Sequence, residues 1–143
     1  MMSLFAAVVI STVLVPEDSR LTRLEFNRIQ PTIEVVSYKG RKTVELAPDA
    51  VLVFYVEEPP ADRADLKDAL AMALYERHRV YVFIKTLETQ LRMNRSDPQF
   101  RVALGRVLAH EVEHVRRGVP GHDETGFFKA CVSREYLLAL GAR

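Results

Sequence analysis

His110-Glu111-Val112-Glu113-His114, with a further histidine at His122, places three of the chain's four histidines within 13 residues. Histidines four apart on a helix share a face, so one rigid element can turn both imidazoles toward a single cation. Glu111 stands between them, where a carboxylate can lie beside a metal without coordinating it and take a proton from a water held there. Structural zinc sites are usually closed by four protein ligands, often thiolates, whereas catalytic sites keep three and leave one position open. The chain has one cysteine, Cys131, and three clustered histidines, so the open kind is expected. The chemistry implied is hydrolysis assisted by one Zn2+ per chain. His110, His114 and His122 are the expected ligands, and Glu111 is general base and then general acid.

The third ligand has competitors. His122 is neutral imidazole, and the Gly118-Val119-Pro120-Gly121 turn can bring it back over the helix. Glu135 lies 21 residues after His114 on an expected helix, Ser133 to Leu140, and Asp123 could supply a carboxylate instead. Asp123 and Glu124 could equally orient a ligand histidine. A bland alternative is a helix whose exposed face carries His and Glu, braced by a Glu113–Arg117 pair at i,i+4. Cys131 sits in an apolar stretch and reads as a buried thiol.

The element that must present these groups has clear boundaries. Ser96-Asp97-Pro98 supplies a capping side chain and then proline in the first turn, where its missing N–H does no harm. Phe100, Leu104, Val107, Leu108, Val112 and Val115 form the apolar stripe, with His110 and His114 on its margin. Arg116 and Arg117 suit the last turn, and Gly118 suits a left-handed cap. Gly105 and Ala109 would let a neighbouring backbone approach closely.

Other segments supply the scaffold. Glu17 to Ile29 has loose helical spacing with Asp18 or Ser19 as cap. Thr32 to Tyr38 reads as a strand, turning at Lys39-Gly40-Arg41-Lys42 and returning over Thr43 to Leu46 as a hairpin. Ala50 to Val56 is a continuous apolar run suited to a central strand. Ala61 to Arg79 repeats Leu66, Ala69, Leu70, Ala73 and Leu74 at a helical period, with His78 at its C-terminal end as a structural residue. Val80 to Ile84 is a further strand, followed by a short helical connection through Leu87, Leu91 and Met93. The fold class expected is α+β, a twisted mixed sheet packed on the motif helix and one other long helix.

At 143 residues, with 48% hydrophobic and 27% charged residues, the composition is that of one globular domain. A net charge of +1 implies no broad attraction to nucleic acid or anionic lipid. A single cysteine excludes an intramolecular disulfide framework. Leu4 to Val15 is an uncharged run of 12 residues, too short for a stable membrane span. Residues 1–16 are therefore expected to be an export signal or an N-terminal strand, ahead of a single domain over 17–143.

The stretch HEVEHVRRGVPGHDETGFFKA, residues 110–130, resembles the zincin metallopeptidases and looks metzincin-like. Standard metzincins place the third histidine six residues after the second and a glycine three after it; here His122 follows by eight and Gly118 by four. The spacing is similar to that of small bacterial predicted zinc peptidases, with Gly126 at their glycine. Phe128 stands where a Met-turn methionine would be. The resemblance covers about 50 residues, Arg79 to Lys129. It implies a zincin-like fold, zinc, a peptide or protein substrate and a strand near the motif helix that pairs with extended peptide, either VYVFI or AVLVFYV. Two other readings stay open. Three-histidine endoribonucleases are a different class of metal hydrolase, but they lack the adjacent glutamate. A zinc-stabilised, non-enzymatic interaction module is the second.

Overall fold

The computed structural model describes residues 9–41 and 45–118. His122, Asp123, Glu124, Gly126, Phe128, Cys131 and Glu135 lie outside the described residues, as does the expected helix Ser133 to Leu140. Among the described residues there are five strands and three α-helices, in the order β1 (Thr12–Val15), α1 (Arg20–Ile29), β2 (Glu34–Ser37), β3 (Ala50–Val56), β4 (Ala71–Leu74), β5 (Arg79–Phe83), α2 (Ile84–Leu91) and α3 (Pro98–Arg117). They form one mixed sheet in the order β2-β1-β3-β5-β4. The pairs β1–β2, β1–β3 and β3–β5 are parallel, and β4 joins β5 antiparallel. The fold is α+β, as expected.

The central parallel strands β1, β3 and β5 turn an alternating row of valines into the core. Val13, Val51, Val53, Val80 and Val82 are fully buried and share one core cluster with Phe26, Leu104, Leu108 and Val112. Helices α1 and α3 bring the last four of these. Ala50–Val56 is the middle strand of the sheet, in agreement with its continuous apolar run. No described helix is long and apolar enough to cross a membrane.

Three sequence expectations are corrected. Thr43 to Leu46 does not return as a hairpin strand through its described residues: Thr43 and Val44 lie outside them, Glu45 and Leu46 are not in a strand, and β2 pairs in parallel with β1. A parallel partner needs a crossover, and α1 supplies it. Ala61 to Arg79 is not a helix. Two single 3-10 turns, Ala64–Leu66 and Tyr75–Arg77, flank strand β4. Short apolar runs fit periods of 2 and 3.6 alike, and the open edge of β5 decides for the strand, with Ala71 opposite Val82 and Leu74 opposite Arg79. His78 then closes the turn in a left-handed conformation at φ 54°, its Nδ1 3.2 Å from the Ala50 carbonyl oxygen.

The third correction concerns the strand nearest the motif helix. AVLVFYV is β3 and the first four residues of VYVFI lie in β5, Ile84 beginning α2, and each of those strands has neighbours on both sides. Among the described residues the edge strands are β2 and β4, and of these β4 packs against α3. Likewise, the helix that braces α3 is α1 rather than one over 61–79.

Candidate metal centre

Helix α3 begins and ends as its sequence requires. The Asp97 carboxylate accepts from the Gln99 N–H at 2.8 Å, and Pro98 occupies the first helical position. Gly118 takes a left-handed φ of 69°, and its N–H donates to the His114 carbonyl at 2.9 Å. Between these caps, Phe100, Leu104, Val107, Leu108, Val112 and Val115 are all buried, so the apolar stripe is the sheet-facing side.

The helix is held along its length. At its start Arg101 pairs with Glu17, whose carboxylate also accepts from the Tyr55 hydroxyl at 3.0 Å. One turn on, α1 lies directly against Gly105. A Cβ there would stand 2.6 Å from the Thr22 carbonyl oxygen and 3.1 Å from the Phe26 nitrogen, so only glycine permits this approach. Arg106, 4% exposed, donates from Nε to the buried Glu25 carboxylate at 2.6 Å.

This scaffold presents His110, Glu111 and His114 together. Their candidate ligand atoms all lie within 4.8 Å of one another, close enough to hold one metal ion. The two imidazoles meet edge to face, with ring centroids 5.2 Å apart and planes at 72°. His110 and His114 are 5% and 7% exposed, so the pair lies deeper than the margin position expected of it. Nitrogen donors on a buried, rigid helix suit zinc. Glu111 Oε2 is 4.0 Å from His110 Nε2. Burial pushes the Glu111 carboxyl up to about 8.

Glu113 behaves oppositely. Burial alone would raise it, but hydrogen bonds from Arg116, Gln30 and Arg117 outweigh that and hold it at about 2. Arg116 Nε donates to it at 2.8 Å, Arg117 Nε at 2.7 Å and Gln30 Nε2 at 2.9 Å. The expected Glu113–Arg117 pair is present, with a buried carboxylate shared among Gln30 and two partly solvated arginines rather than standing as a lone exposed brace.

Of the residues that sequence singled out, His110, Glu111 and His114 are brought together, and His122 lies outside the described residues. Glu25, Gln30 and Arg106 were not marked by any motif. Only Gly105 and Ala109, recognised as sites of close approach, pointed to a helix packed there. No family model matches the chain, and neither a curated protein nor a solved structure does so.

Proposed function

We propose that the protein is a zinc-dependent metallopeptidase. The observation that carries this reading is the convergence of His110, Glu111 and His114 on one buried stretch of α3, with ligand atoms within 4.8 Å. His110 and His114 would hold the ion, and His122 is the proposed third ligand. When bound, zinc supplies a Lewis acid that polarises a carbonyl and lowers the pKa of water toward about 7.

The remaining chemistry belongs to Glu111. Its burial favours the protonated form, and a cation held by the adjacent imidazoles favours the carboxylate. The two influences oppose each other, which suits a group that takes a proton from the attacking water and delivers it to the leaving amine. The edge of β4 supports a peptide substrate. Among the described residues it has a single strand neighbour, β5, and it packs beside α3, so its other edge is placed to offer backbone N–H and C=O groups to an extended chain. In the zincins that the motif resembles, a strand near the motif helix has this role.

Metal analysis of the purified protein and hydrolysis of an unstructured fluorogenic peptide test the reading. One zinc per chain is expected, with activity abolished by chelator and restored by zinc. Glu111→Ala should retain zinc and lose about 10²–10⁴-fold in rate. Unfolding on chelation, with no hydrolysis by the zinc-loaded protein, would identify a structural ion and end the proposal.

A further inference from the structure

We infer that Gln30, acting through Glu113, is a positioning residue that aims the histidine pair of α3. The inference rests on the metallopeptidase reading and extends it to a residue 80 positions before His110. A helix turns by about 100° per residue, so the direction of His110 and His114 depends on the rotation of α3 about its axis. Apolar burial against the sheet is the least directional force available for fixing that rotation. Hydrogen bonds from a neighbouring element are directional.

Helix α1 provides them at successive heights. Thr22 Oγ1 donates to the Arg101 carbonyl at 3.0 Å, and the Glu25 carboxylate accepts from Arg106 at 2.6 Å. Gln30 Nε2 then donates to Glu113 Oε1 at 2.9 Å, inside the motif itself. Gln30 is the C-terminal cap of α1, so this contact comes where α1 ends and α3 continues through His114 to Arg117. Glu113 passes the restraint onward, because Arg116 and Arg117 of the last turn donate to the same carboxylate. Glu113 directly precedes His114 and points about 100° round the helix from it. Holding the glutamate against α1 therefore fixes the bearing of the histidine.

Gln30→Met keeps the bulk and removes the donor, whereas Gln30→Lys restores a donor facing Glu113. Both are tested in the full chain, by zinc affinity in chelator competition and by the visible absorption of bound Co2+. Helix content is followed by circular dichroism. Gln30→Met should weaken zinc by about tenfold and alter the cobalt bands at unchanged helix content, and Gln30→Lys should recover both. Wild-type affinity and spectrum in Gln30→Met would overturn the inference, even with a lowered melting temperature, because the bridge would then be structural only. So would Gln30→Lys binding as poorly as Gln30→Met. A wild-type protein that binds neither zinc nor cobalt would refute the metal-site reading itself, a result distinct from these.

Discussion

Replacing Glu111 with glutamine should stabilise the metal-free protein while abolishing hydrolysis. The Glu111 side chain is 13% exposed, and burial holds its carboxyl at about 8, against an ordinary value of 4.5. Below pH 4.5 the carboxyl is protonated in both folded and unfolded chains, and the shift has no effect on stability. As pH rises toward 8, the unfolded chain releases the proton and the folded chain retains it, so stability falls; above 8 the loss is complete. Each unit corresponds to about 1.4 kcal/mol, which sets a ceiling of about 5 kcal/mol and a loss of about 3 kcal/mol at pH 7. Glutamine preserves the shape and has no proton to release. Urea unfolding of chelator-treated protein at pH 5 and pH 8.5 should show wild type losing about 4 kcal/mol relative to Glu111→Gln between the two. Added zinc should reduce the wild-type deficit, because a nearby cation favours the carboxylate. Parallel stability curves for the two proteins would refute the claim that the carboxyl is neutralised by burial.

Two further outcomes concern the seam between α1 and α3. Gly105→Ala should destabilise the fold by about 1–3 kcal/mol despite a gain in helix propensity of about 1 kcal/mol. Its Cβ would meet the Thr22 carbonyl oxygen at 2.6 Å, and neutral or improved stability in urea would show that the helices are not so close. Glu113, held at about 2, contributes stability that is present above pH 4.5 and lost as pH falls toward 2. Its arginine partners are partly solvated, so the contribution is of the order of 2 kcal/mol, and Glu113→Gln should flatten acid unfolding over that window.

The motif helix was legible from local rules because its caps, stripe and paired histidines all lie within Ser96 to Gly118. Helix α1 was legible for the same reason, with Ser19 accepting from the Thr22 N–H at 3.3 Å. Strand β4 was not. Ala71, Ala73 and Leu74 suit either period, and only the unpaired edge of β5, supplied by residues further on, selects the extended form. Its place beside α3 then became visible only in the sheet order.

Local sequence thus determined which residues could do chemistry, since side-chain type and a four-residue spacing on a helix are properties of the chain alone. Tertiary structure decided their environment. The burial that raises Glu111, the arginines that lower Glu113 and the contact of Gln30 with Glu113 all depend on what packs against α3. Gln30 and Glu113 are 83 residues apart, and Glu25 and Arg106 are 81 apart. Desolvation and helix-to-helix bonding arise from such distant neighbours, so no window of sequence short enough to show a motif could display them.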